Sequence, residues 1–174
     1  MTGCQPREAE QRCTECGFLF SSVTPANASA AVARIGIWYA EAMQSAAQNE
    51  RLRRRPSPDV WSALEYATHV RDVLLLFTRR ILAILSTDEP ELEVVSHDHL
   101  VAAGGYNRLD PGQVAAAIHD AAQRLASILQ ALAPVEFARR GFRDGQQRTI
   151  LEIAQRAAHE SQHHLFDIAR ELGD

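Results

Sequence analysis

Between Ser57 and Thr87 the apolar residues Val60, Leu64, Ala67, Val70, Leu74, Phe77, Ile81 and Leu85 recur three or four positions apart. At 3.6 residues per turn this spacing draws one continuous stripe down a helix. Such a stripe has to be buried against a partner, and the rest of the chain decides whether that partner is helix or sheet. Three further segments favour helix. Thr24-Pro25 supplies a cap and a proline for the first turn of a segment that runs from Ala26 until Pro56. Asp110-Pro111 opens "GQVAAAIHDAAQRLASILQAL", which ends before Pro134, and Thr149 caps "ILEIAQRAAHESQHHLFDIAREL", which stops at Gly173.

No segment alternates convincingly between apolar and polar residues, so the pattern predicts an all-α fold, a four-helix bundle. The connector 88–109 has room for one short helix around "HDHLVAA", and 134–147, with Gly141 and Gly145, reads as a loop. Residues 1–23 read as a separate cysteine-bearing element ahead of a bundle formed by 24–174.

With 174 residues, 46% apolar and 23% charged, the chain suits a single globular domain. A net charge of −4 gives no footprint for nucleic acid, and "RLRRRP" reads as a solvated helix end. All 18 basic residues are arginine, a bias that suggests a GC-rich genome. The polar N-terminus lacks the apolar core of a secretory signal, and no run approaches the roughly 18 apolar residues of a membrane span, so a cytoplasmic protein is expected. Cys4, Cys13 and Cys16 all fall in the first sixteen residues, so no disulfide framework can staple the body of the fold.

The chemistry concentrates in the histidines. His159 and His163 are four apart, a spacing that lets two imidazoles on one helix face chelate a divalent ion. A third ligand has to come from a facing helix, where His69 is the candidate. The competing reading is a solvated polar face. Ile150, Ile153, Ala157, Ser161, Ile168 and Leu172 form a stripe nearly opposite the pair, and His164 falls on that stripe as a core or interface histidine. His97, His99 and His119 read as structural or surface residues. "CTECGF" has C-x-x-C spacing, so Cys13 and Cys16 offer half of a second, zinc-knuckle-like site, a reversible thiol pair, or no special role. Cys4 with His97 or His99 could complete the set, or the segment could fold over the histidine groove and donate a ligand.

"PSPDVWSALEYATHVRDVL" together with "AAHESQHHLFDI" resembles the DinB-like superfamily, and the N-terminal "CxxCGF" resembles its actinobacterial branch. The similarity spans nearly the whole chain and is most specific at Trp61, Glu65, Tyr66, His69 and Asp72 and at the terminal histidines. The resemblance implies an up-down-down-up four-helix bundle. It also implies a divalent metal held, by position, through His69, His159 and His163. Members include mycothiol- or bacillithiol-dependent S-transferases and isomerases, and metal enzymes of natural-product pathways or resistance.

Three imidazoles leave open positions on an ion, with zinc expected first and nickel or iron as alternatives. Glu65, Asp72, Glu160 and Asp167 could orient ligand imidazoles or pair with Arg71 and Arg156. Arg55, Arg108 and Arg143 could receive substrate carboxylates. The leading expectation is a mycothiol-dependent S-transferase or isomerase acting on a small electrophile. The alternatives are a metal-dependent hydrolase or natural-product-modifying enzyme, and a non-catalytic metal-binding or stress-response protein, assembling in some cases as a homodimer.

Overall fold

The apolar stripe between Ser57 and Thr87 lies on α2 (Ala63–Ser86), where Leu64, Ala67, Val70, Leu74 and Ile81 are fully buried. The computed structural model describes residues 12–173, so Cys4 lies outside the described residues. α2 begins after Val60, the first residue of the stripe, because Ser62 makes a capping box with Glu65. The Ser62 hydroxyl accepts from the Glu65 N–H, and the Glu65 carboxylate accepts from the Ser62 N–H.

α1 (Ala28–Ala46) also starts late, because the side-chain carbonyl of Asn27 accepts from the Thr24 backbone and hydroxyl and holds the intervening residues in a turn. It ends ten residues short of Pro56. Asn49 there accepts from the Arg51 N–H and starts a short 3-10 turn that buries Leu52. α3 (His97–Gly104) is the short helix of the connector. α4 (Pro111–Ala131) and α5 (Ile150–Leu172) carry the caps the sequence predicts, Asp110 and Thr149. α5 ends at Gly173, whose φ of +86° is left-handed.

One expectation is corrected. Part of the stretch read as a loop is a β-hairpin, β1 (Arg140–Arg143) and β2 (Gln146–Thr149), with Arg140 opposite Thr149 and Arg143 opposite Gln146. Its two-residue turn is Asp144-Gly145, with φ of +53° and +72°, the paired left-handed conformation that joins twisted strands tightly. Strands this short show little alternation, and the Asp-Gly pair was the readable signal.

The four long helices form the bundle. α1 runs antiparallel to α4, with the Ser29 hydroxyl donating to the Ala126 carbonyl at 2.9 Å and Gly36 packed against His119. α5 lies alongside α1 in the same direction, with Gln155 donating to the Val23 carbonyl and the Tyr39 hydroxyl to the Ser161 carbonyl. α2 runs antiparallel to α5 and parallel to α4, which gives the up-down-down-up order. Parallel neighbours cannot be joined by a tight turn, which accounts for the long α2–α4 connection through α3. No helix among the described residues is long and apolar enough to cross a membrane.

Residues 12–23 lie against this bundle. Arg12 bridges to Leu19, the Cys13 N–H donates to the Phe18 carbonyl at 2.8 Å, and Phe18, Phe20 and Val23 are buried. The Phe20 ring lies 4.8 Å from that of His159 on α5.

Candidate metal centre

On a helix, adjacent residues point about 100° apart while residues four apart share a face. α5 uses both relationships at once. Glu160 and His164 face α2, and His159 and His163 face the N-terminal segment. The result is two groups of potential metal donors, in each of which one atom per residue lies within 4.8 Å of the others. The first is His69, Glu160 and His164, and the second is Cys13, Cys16, His159 and His163.

In the first group His69 projects from the middle of α2, with its ring 4.9 Å from that of His164 and 5.0 Å from that of Trp61. The His164 Nδ1 lies 2.9 Å from Asp167, whose other oxygen accepts from Arg170 at 2.9 Å. Its Nε2 points toward Glu160, 3.6 Å away. A carboxylate on one ring nitrogen fixes the tautomer and turns the other nitrogen toward an ion. Tyr66 stacks on the same ring at 5.1 Å and burial raises its phenol to about 12, so this wall is uncharged.

Electrostatics favour the donor forms of His69 and Glu160. Burial, reinforced by His164 and His97, holds His69 well below the ordinary histidine value and keeps it neutral. Burial opposes ionisation of Glu160, but the imidazoles of His159 and His164, 3.7 and 3.6 Å away, outweigh it and keep the carboxylate well below its usual range. Burial also opposes charge on His164, yet Asp167 and Glu160 together raise it, so an ion would displace a proton there.

In the second group His159 is 2% exposed, and both of its ring nitrogens are buried without a hydrogen bond among the described residues. A buried imidazole without partners is costly, and an ion satisfies it. The Cys13 sulfur lies 3.6 Å from the His163 Nδ1. Cys13 is disulfide-bonded, so the group offers Cys16, His159 and His163 with that bond intact and four protein ligands once it is reduced. Burial raises the Cys16 thiol.

The two histidines expected to share an ion with His69 thus group with the cysteines, while His164, read as a core histidine, joins His69. Glu65 and Asp72 take the pairing alternative. Glu65 accepts two 2.7 Å bonds from Arg55, and Asp72 pairs with Arg71 at 2.8 Å and accepts from the Tyr106 hydroxyl. Arg55 is therefore committed to Glu65. His97, expected to be a structural or surface residue or a ligand beside Cys4, instead meets the His69 ring edge-on at 4.6 Å, and its buried Nδ1 makes no hydrogen bond among the described residues. Its position opening α3, behind the Ser96 cap, was the available signal.

Both groups border a cavity of about 420 Å³ between α2 and α5, closed at one end by α3 and the hairpin. A second cavity, about 620 Å³, lies between α1 and α5 beside Trp38 and Leu165, away from these donors.

A helical bundle whose facing helices converge histidines and a carboxylate on one cavity has the architecture used for interhelical metal sites. The DinB superfamily model matches residues 39–168, and the chain belongs to that superfamily. Among solved structures it is similar to YfiT from Bacillus subtilis, described as a probable metal-dependent hydrolase with an unusual four-helix bundle topology. The two share 15% identity at a TM-score of 0.75, over 97% of this chain and 93% of that one. No curated protein matches the sequence.

Proposed function

We propose that this chain is a metal-dependent hydrolase whose catalytic ion is held by His69, Glu160 and His164. The observation that carries the reading is the convergence of these three donors at the wall of a 420 Å³ cavity, with His164 oriented by Asp167. Two histidines and one carboxylate leave an open coordination position, as catalytic sites require. A divalent ion bound there would supply Lewis-acid activation of a water or of a substrate carbonyl or phosphoryl oxygen. The chain's own residues do the rest. Asp167 and Arg170 fix the His164 ring, Trp61 and Tyr66 exclude water from one side, and His97 offers a further imidazole to a reacting group beside His69.

The Cys16, His159 and His163 group, with Cys13 on reduction, is proposed as a second, structural ion site that ties the N-terminal segment to α5. Its thiolate and imidazole donors are those of zinc, whereas the first group also accommodates nickel or iron. Thiol transfer is the second reading. The cavity is large enough for a small electrophile beside a low-molecular-weight thiol such as mycothiol, and an open ion binds thiolate as well as water.

The test is titration of zinc and nickel into metal-free protein, followed by turnover of a panel of esters, amides and phosphomonoesters, and of electrophiles with mycothiol. Hydrolysis that needs metal and disappears in His69→Ala and Glu160→Gln supports the leading reading. Metal-dependent consumption of thiol without hydrolysis transfers support to the second, and no ion bound in the wild type defeats both.

A further inference from the structure

We propose that the cavity beside His69 and His164 is an anion pocket, and that the substrate presents a carboxylate or phosphoryl group to an arginine cluster formed by Arg80, Arg143, Arg148 and Arg156. The proposal rests on the reading of this cavity as the active site and adds the substrate's chemical class.

Four guanidinium groups from four elements line this one cavity: Arg80 from α2, Arg143 and Arg148 from the two strands of the hairpin, and Arg156 from α5. They stand at its hairpin end, one turn or more along α5 from Glu160 and His164. Elsewhere the arginines Arg55, Arg71, Arg79, Arg140 and Arg170 all sit in ion pairs of 2.7 to 2.9 Å. Three of the four cavity arginines do not. Among the described residues no carboxylate lies within 4.0 Å of Arg80, Arg148 or Arg156. Arg80 spends two donors on the backbone carbonyl of Glu93, and Arg148 binds the Gln147 carbonyl and the Gln146 side chain. Among the described residues Arg156 makes no hydrogen bond, and neither does the buried Nε of Arg143, which has an oxygen of Asp144 3.5 Å away.

The groups also oppose one another. Burial and then Arg143 push Arg80 down to about 10, and burial lowers Arg156, an effect that Glu160 opposes and that Arg148 and Arg143 reinforce. The acidic residues on the cavity wall are Asp98 and Glu160, and Glu160 is engaged with His159 and His164. Partly buried like charges that outnumber their counter-ions are costly, and an entering anion relieves that cost. Guanidinium forks match the planar geometry of carboxylate and phosphoryl oxygens, and low-dielectric walls focus the field on the entrance. With the anion at the hairpin end, a bond a few ångströms further along the substrate reaches the His69, Glu160 and His164 end.

The test uses the metal-free full-length chain, so that anion binding is read separately from metal binding. Inorganic phosphate and succinate are titrated by calorimetry into wild type, Arg156→Gln, the double variant Arg148→Gln/Arg156→Gln, and His69→Ala, with thermal melts confirming folding. The expected result is saturable binding of at least one anion, weakened about tenfold or more in the arginine variants, little changed in His69→Ala, and falling with salt. Tighter phosphate than succinate binding assigns a phosphoryl substrate, and the reverse a carboxylate one. Absence of binding by both anions, or affinity unchanged in the arginine variants, overturns the proposal. A failed metal site with intact anion binding would leave this pocket standing and refute only the hydrolase reading.

Discussion

The Nδ1 of His164 meets the Asp167 carboxylate at 2.9 Å, one helical turn along α5, with both residues buried. That contact leaves Nε2 as the ring's outward donor and aims it at Glu160 and His69. Asp167→Asn keeps the shape and removes the charge that orients the ring. Metal affinity at this site is expected to fall about 10- to 100-fold, read by competition with a chromophoric chelator.

Two donor groups on one helix predict two independent losses. Reduced wild type is expected to retain two ions per chain. His69→Ala is expected to remove one and Cys16→Ser the other, as measured by elemental analysis. Loss of both ions in either variant would mean that the groups form a single site.

Glu65 joins the α2 capping box to Arg55, and its side chain is 6% exposed. Glu65→Ala is expected to cost about 2 kcal/mol in urea unfolding. Burial opposes ionisation of Glu65, but the bonds from Arg55 and Ser62 prevail and lower its pKa. Its stabilisation is therefore present above the unfolded value of about 4.3 and lost as pH falls through the lower folded value. The gap between wild type and variant is expected to close on acidification below pH ~4.

A Cβ on Gly36 would stand 2.9 Å from the Cα of His119, so α1 and α4 approach too closely for any side chain there. Gly36→Val is expected to lower stability by about 1–3 kcal/mol, measured by chemical unfolding. The far-UV helical signal should persist.

The bundle was legible because each long helix carries its own punctuation. Asp110, Thr149 and Gly173 mark boundaries that local hydrogen bonds then realise. Where the boundary depended on a competing local bond, as at Asn27, proline position misled by a few residues. The histidines of α5 were legible as donors but not in their grouping. Adjacent residues 159 and 160, or 163 and 164, differ by about 100° around the axis, and only the placement of α2 and the cysteine turn decides which pair faces which partner. The arginine cluster was hidden for a related reason. Arg80 is separated by a long stretch of chain from Arg143, Arg148 and Arg156, and the hairpin that brings two of these over the cavity read as a loop.

The most direct test of the central claim is anomalous diffraction from crystals of zinc-loaded protein, recorded on both sides of the zinc edge. An ion is predicted within about 2.0–2.2 Å of one nitrogen each of His69 and His164 and one oxygen of Glu160. A zinc-loaded crystal with no anomalous peak between these three residues would contradict the account.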